Sequence, residues 1–352
     1  MTATRPFVVR DRVLGEGPAF LIAEAGVNHN GDLDLAHQLV DAAAEAGADA
    51  VKFQTFRTDA LVSEAAPKAR YQLETTGGTE SQRAMLARLE LSREAHAALR
   101  DHAARRGLVF FSTPFDEASA DLLDGLGVEL LKVPSGEVTN LPLLRHLAAK
   151  RRPILLSTGM CTLEEVATAV DTLRAAGDPP LAILHCVSAY PAPAADTNLR
   201  AMDTLRARFG CPIGLSDHSL GIEIALAAVA RGAAVLEKHL TLDRALPGPD
   251  HRASLEPGDF AALVRGVRVI EAALGNGDKR PMPSELDTRA VARRSLVAAR
   301  ALPAGHRLTR DDLAIKRPGT GIPPADLDRV LGRRLARALD VDDMVDWPSL
   351  QP

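Results

Sequence analysis

The chain has 352 residues, 46% hydrophobic and 25% charged, with a formal net charge of −4. That composition suits a soluble globular protein of one large domain, or one large and one small, and its slight acidity argues against a nucleic-acid footprint. No apolar run approaches the ~20 residues of a membrane span. The N-terminus, MTATRPFVVRDRV, lacks the apolar stretch of a signal peptide. Cys161, Cys186 and Cys211 are sparse, odd in number and outside any CxxC spacing. They point to reduced thiols and a cytoplasmic protein.

After a short leader, AFLIAEAG (19–26) reads as a strand closing on Glu24 and Gly26. The next segment has helical spacing at Leu33, Leu39, Val40 and Ala43, and AVKFQTF (50–56) reads as the second strand. Residues 57–92 form a longer polar insertion without a core pattern, in the manner of an active-site loop. From there helical segments alternate with the apolar runs VFFSTPF (109–115), ELLKVPS (129–135), PILLSTG (153–159) and LAILHCVSAYP (181–191). Two more runs, PIGLSDH (212–218) and AVLEKHL (234–240), flank an alanine-rich helix, and EPGDFAALVRGVRVIEAALG closes the series.

Eight strand–helix units in about 250 residues have the rhythm of a (β/α)8 TIM barrel. A doubly wound sheet would also alternate, but its Gly-rich nucleotide turn is missing. The expected barrel covers residues 1–276, a charged linker 277–290, and a small, mainly β module 291–352.

In such a barrel the catalytic groups sit at the C-terminal ends of the strands, and here the polar residues gather there. Positions two apart share a face of a strand. Lys52 pairs in this way with Gln54, Ser188 with Tyr190, Ser216 with His218, and Glu237 with His239. Glu24, Lys132, Ser135, Glu137 and Ser157 lie at or just past other strand ends. Charged groups near a barrel mouth require pairing or a ligand. Ammonium and hydroxyl groups together suit a phosphate plus a carboxylate. His218 and His239 end two strands joined by one crossover, so both imidazoles face the same rim. Two imidazoles can hold a divalent metal with open positions for water and a substrate oxygen; two unrelated strand-end histidines are the alternative. Lys238 is out of phase with His239 and is expected to face outward in a structural role.

Several residues read as ordinary. His185 is expected behind its strand, and His96, His102 and His146 on helices as surface or satisfied groups. His251 is ambiguous. Cys186 reads as a buried small hydrophobe, Trp347 as an anchor of the small module, and DVDDMVD as a solvated face.

The motifs EAGVNHNGD (24–32), VKFQTF (51–56), STPFD (112–116), KVPSGE (132–137), STGM (157–160), HCVSAYPAP (185–193), GLSDHSLG (214–221), EKHLT (237–241) and GPDH (248–251) stand in order, each at a strand end. Together they resemble the sialic acid synthase family, which condenses phosphoenolpyruvate with an N-acylated hexosamine. The segment RSLVAAR…LTRDDLAIKRPGTGI resembles that family's antifreeze-like, or SAF, domain. The resemblance implies a divalent metal (manganese or magnesium) on His218 and His239. It implies phosphoenolpyruvate on Lys52, Lys132, Ser135, Ser157 and Ser216, and sugar on Gln54, Glu137, Tyr190 and Asp250. Glu24 would manage the proton of a water at the metal. Arg317 matches the arginine that reaches the sugar's acyl group from the partner subunit of a domain-swapped homodimer. Ser188 stands where members using N-acetylmannosamine have an asparagine. KARYQLETTG…ESQRAMLARLEL is closer to the branch making N,N′-diacetyllegionaminate from 2,4-diacetamido-2,4,6-trideoxymannose. The rival readings are a Schiff-base aldolase using Lys52, Lys132 or Lys238, and a non-catalytic SAF protein with a degenerate barrel.

Overall fold

The computed structural model describes residues 5–352. The chain forms two compact units, Met1–Gly275 and Asn276–Pro352. The first opens with a hairpin, β1 (Phe7–Val9) and β2 (Arg12–Leu14), in the stretch read as a leader. Eight further strands follow: β3 (Phe20–Gly26), β4 (Ala50–Thr55), β5 (Val109–Pro114), β6 (Leu131–Val133), β7 (Ile154–Ser157), β8 (Leu181–Cys186), β9 (Ile213–Asp217) and β10 (Val235–His239). They are hydrogen-bonded in the order β5-β4-β3-β10-β9-β8-β7-β6, every pair parallel, as a nearly closed TIM-type barrel with helices outside.

Alternation along each strand fills the interior in layers. Phe20 and Ile22, Val109 and Phe111, Ala182 and Leu184, and Val235 form its apolar lower part. Phe7, Val9 and Leu14 of the hairpin pack into the same cluster and plug the end where the strands begin. Two residues further along, the inward positions turn polar, with Glu24, Lys52, Lys132, Ser157, Ser216 and Glu237 all buried. The outward positions join a larger apolar cluster with the helices.

The helix Leu33–Glu45 starts at Asp32, whose carboxylate accepts from the N–H groups of Asp34 and Leu35. It buries Leu39, Val40 and Ala43, but Leu33, at its first position, is exposed. The insertion also differs from its reading as a coreless loop. It folds into three short helices, Thr58–Leu61, Arg70–Thr76 and Gln82–Ala87. Met85 and Leu89 are buried with Val27 and Phe56 in a separate apolar cluster. Those partners lie far away in sequence, so no local pattern announced the cluster.

In the second unit, β11 (Ser295–Ala298) and β12 (Leu313–Lys316) pair antiparallel over a core that includes Leu296, Leu302, Ile322, Leu335 and Leu350. The stretch read as a linker carries part of a short helix, Leu286–Ala292. Asp312 is buried and accepts from Arg300, His306 and Thr309, which hold its pKa down against the opposing effect of burial. Trp347, expected as an anchor, is 40% exposed, with the Arg329 guanidinium 4.8 Å above its ring. Among the described residues no helix is long and apolar enough to cross a membrane.

Candidate active site

The polar inward layer forms the floor of a cavity of 410 Å³ at the C-terminal mouth of the barrel. Lys52 Nζ lies 2.7 Å from Glu24 Oε2 and 3.8 Å from Glu237 Oε1, and it donates to Thr113 Oγ1 at 2.8 Å. Lys132 Nζ reaches both oxygens of Glu237, at 2.9 and 3.1 Å, and Ser216 Oγ donates to Glu237 Oε1 at 3.1 Å. Two lysines and two carboxyl groups thus share the buried floor of this cavity. Burial raises the pKa of Glu24 to about 7, although Lys52 works against the shift. Burial also pushes on Glu237, but Lys132 and Lys52 override it and hold that carboxyl down at about 2. Burial lowers the pKa of Lys132, opposed by Glu237. Near pH 7 the floor therefore carries one firm carboxylate and one that is easily protonated, beside two lysines placed to meet an anion.

Above the floor stand the two histidines. Their ring centroids are 5.2 Å apart, at one rim, as two parallel strands joined by one crossover require. His218 Nδ1 donates to Val187 O at 2.8 Å, which fixes the tautomer and leaves Nε2 with its lone pair. His239 Nδ1 is buried without a hydrogen-bond partner, 4.0 Å from Asp250 Oδ2. Burial and the neighbouring His218 keep His239 neutral by lowering its pKa well below the usual imidazole range. Burial raises Asp250 to about 6. Among the described residues no cluster of three or more His, Cys, Asp or Glu side chains has metal-binding geometry. The donors available are two imidazoles, His239 held neutral and His218 with its pKa raised, because Cys186 and the Val187 carbonyl outweigh the opposing effect of burial.

Strand β7 and the turn after β6 supply hydroxyls. Ser157 Oγ is buried with no partner. Ser135 Oγ accepts from the Gly159 N–H at 2.9 Å, leaving its own O–H free to donate. Gln54, Ser188, Tyr190 and Asp250 complete this side of the wall. Tyr190 lies against His218 with centroids 4.1 Å apart.

Glu137 lies apart from these residues. Strand β6 stops at Val133, and the turn Ser135–Glu137 keeps Ser135 on the cavity but carries Glu137 off its wall. There Glu137 Oε2 accepts from Asn140 Nδ2 at 2.7 Å, at the start of the next helix. Arg317 belongs to the second unit, where it is exposed just past β12.

Cys186 is more than a small hydrophobe. It lines the cavity with its Sγ 3.8 Å from His218 Nδ1; burial pushes the thiol up, but His218 brings it down to about 7. Lys238 faces out of the barrel and bonds Asp217 Oδ2 at 2.6 Å, a structural role as expected. His96, His102, His146 and His185 all have hydrogen-bond partners, as does His251, which is buried between Thr241 and Asn30.

Three contributions were not singled out as site residues from sequence. Glu237 shares the inward face with His239, and a buried Lys132 demands a carboxylate, so a signal was present. Thr113 alternates with Phe111 in the same way. Tyr71, Gln72 and Gln82 come from the insertion and line the cavity; nothing local marks them.

Residues 39–279 match the NeuB family and residues 293–351 match the SAF domain. The chain belongs to the NeuB family. Among its relatives, the N,N′-diacetyllegionaminic acid synthase of Legionella pneumophila is 48% identical over 94% of this chain and 94% of that protein. The human N-acetylneuraminate-9-phosphate synthase is 37% identical over 94% of this chain and 92% of that protein. The crystal structure of the N-acetylneuraminic acid synthetase of Leptospira borgpetersenii, in complex with citrate, superposes with a TM-score of 0.72 at 37% identity. That match covers 81% of this chain and 95% of the other. As a NeuB-family member with an intact, charged barrel mouth, this chain is a sialic acid-type synthase, which removes the degenerate-barrel reading.

Proposed function

We propose that the enzyme condenses phosphoenolpyruvate with 2,4-diacetamido-2,4,6-trideoxymannose, giving N,N′-diacetyllegionaminate and phosphate. The observation that carries the reaction is the floor: two buried lysines and the unpartnered Ser157 hydroxyl beside two imidazoles in one cavity. The higher identity to the legionaminic acid synthase supports the choice of sugar.

Lys52 and Lys132 bind the phosphate and carboxylate of phosphoenolpyruvate, with Ser135 and Ser157 donating to their oxygens. The acceptor sugar lies above, its open-chain aldehyde toward His218 and His239. These imidazoles fit a divalent ion: His218 has its Nδ1 committed to the Val187 carbonyl, and His239 is held neutral with a buried nitrogen without a partner. When bound, manganese or magnesium would supply Lewis-acid polarisation of the aldehyde oxygen. The floor holds the methylene carbon of phosphoenolpyruvate against the aldehyde carbon, and the new carbon–carbon bond leaves positive charge at the enol-ether carbon. Water adds there; Glu24 takes one of its protons and passes it to the former aldehyde oxygen, and the other goes to the phosphate, which leaves by carbon–oxygen cleavage to give the 2-keto acid. A Glu24 poised near pH 7 suits that proton transfer. Lys52 and Lys132 offset the substrate's negative charge throughout.

In this reading Gln54, Ser188, Tyr190 and Asp250 hold the sugar. In a domain-swapped homodimer, Arg317 of the partner subunit completes the grip. A Schiff-base aldolase needs an unpaired lysine at the mouth, whereas Lys52 and Lys132 are ion-paired and Lys238 faces away.

Phosphate release from phosphoenolpyruvate, measured with each candidate sugar and with or without a chelator, tests the proposal. The expected result is release with the diacetamido sugar, lost on chelation and restored by manganese. His239→Ala should weaken Mn2+ binding by about a hundredfold or more, read as free Mn2+ by electron paramagnetic resonance. Chelator-resistant turnover trapped by borohydride would overturn the mechanism.

A further inference from the structure

The mechanism leaves one wall of the cavity unused, the wall built by the insertion. Tyr71, on the helix Arg70–Thr76, lies against Tyr190 with centroids 4.9 Å apart. Tyr190 continues the stack to His218 and meets His239 edge-on, so a column of rings runs from the insertion to the two imidazoles. Behind Tyr71, Gln82 Nε2 donates to Gln72 Oε1 at 3.3 Å, and Gln72 Nε2 lies 3.5 Å from the Tyr71 hydroxyl. This chain of donors leaves the Tyr71 O–H and the Gln82 carbonyl without partners among the described side chains. Leu61, Val62, Met85 and Leu86 make the rest of this wall apolar. The segment is also tied in place. Lys68 is buried and donates to Thr76 Oγ1 at 2.8 Å and Gly77 O at 3.1 Å, across the far end of the Tyr71 helix.

Phosphoenolpyruvate occupies the floor and the aldehyde faces the imidazoles, so the far end of the sugar extends toward the insertion. We propose that Tyr71 and the Gln72–Gln82 amide pair select the acceptor, binding the acylamino group remote from the aldehyde while the apolar wall takes a methyl group in place of a hydroxymethyl or phosphate. The inference rests on the condensation reading above. A polar pair built to bond an amide is left unsatisfied by a sugar lacking that amide, which is the strongest form of discrimination a pocket offers. A sugar phosphate would find no free cation on this wall, because the lysines on the cavity, Lys52 and Lys132, are paired at its floor.

The test compares Tyr71→Phe and Gln82→Leu with the unaltered enzyme. It measures kcat/KM for 2,4-diacetamido-2,4,6-trideoxymannose and for N-acetylmannosamine, the KM for phosphoenolpyruvate, and the melting temperature. Each variant is expected to lower the preference for the diacetamido sugar by tenfold or more, with the phosphoenolpyruvate KM within twofold and melting unchanged. A fall that is equal for both sugars, or an unchanged ratio, overturns the inference. If the unaltered enzyme prefers N-acetylmannosamine, the acceptor assignment fails by itself. A ratio that still moves in the variants then places selection in the insertion, and one that does not move overturns it.

Discussion

Strands β9 and β10 carry two buried charge clusters back to back. On the inner face, Ser216 and Glu237 meet Lys132 and Lys52. On the outer face, one residue along each strand, Asp217 meets Lys238. Both clusters are buried, and they differ in completeness. Asp217 Oδ1 accepts from Ser219 N and Oγ at 2.9 and 2.7 Å, Oδ2 accepts from Lys238, and Lys238 also donates to Ser219 O at 2.5 Å. This closed knot pins the turn that presents His218. The inner face, by contrast, leaves Ser157 Oγ and His239 Nδ1 with nothing to bond. Buried polar atoms without partners are costly. Where they gather beside paired charges, a ligand is the missing partner; where every valence is filled, the pair is scaffold.

Breaking each cluster in the same way tests that distinction and should give the largest effects. Lys132→Met and Lys238→Met each strand a buried carboxylate and should each cost about 3–5 kcal/mol in urea denaturation, as removal of one partner does. Lys132→Met falls at the lower end, since Glu237 keeps Lys52 at 3.8 Å. Replacing both partners by apolar residues of similar volume is close to neutral. Asp217→Leu with Lys238→Met should therefore recover most of the stability and keep turnover. Glu237→Leu with Lys132→Met should recover stability and lose phosphate release. Retained turnover in the inner double variant would erase the proposed difference.

A titration sharpens the comparison further. Glu24 has its pKa raised to about 7, so its basic form accumulates as pH rises through neutrality. Acting as the base, it predicts that kcat/KM for phosphoenolpyruvate climbs about tenfold per pH unit below that value and levels off above it. Glu24→Gln should remove the rising limb. Asp217→Asn, on the outer face, should leave the limb in place; a profile altered by the outer variant would mean that the two faces are not separate.

The inward polar layer was legible in the sequence because strand alternation is a local rule: Lys52, Ser216, His218 and His239 follow from counting in twos. The outward Lys238 follows from the same count. What escaped needed closure of the fold. Glu237 acquires its role from Lys132, which stands across the barrel on β6. The insertion gains its core only where Met85 and Leu89 meet Val27 and Phe56. The hairpin plug became visible only once the barrel floor was there to receive Phe7 and Leu14. Glu137 misled because it follows its strand by only a few residues, yet a helical turn at Ser135 carries it off the wall.

The smallest test uses two serines three residues apart. Ser216 donates to Glu237 on the inner face at 3.1 Å, and Ser219 donates to Asp217 on the outer face at 2.7 Å. Each bond contributes about 1 kcal/mol, since each carboxylate keeps a lysine when the hydroxyl is lost. Ser219→Ala should lower stability by that amount and leave the KM for phosphoenolpyruvate unchanged. Ser216→Ala should raise that KM about fivefold, because its hydroxyl also faces the anion on the floor. Its effect on stability should be smaller, because Glu237 keeps two lysines, Lys132 at 2.9 Å and Lys52 at 3.8 Å, when the hydroxyl is lost. Equal stability losses with equal KM values would show that the inner hydroxyl is scaffold like the outer one, and that the anion is held by the lysines alone.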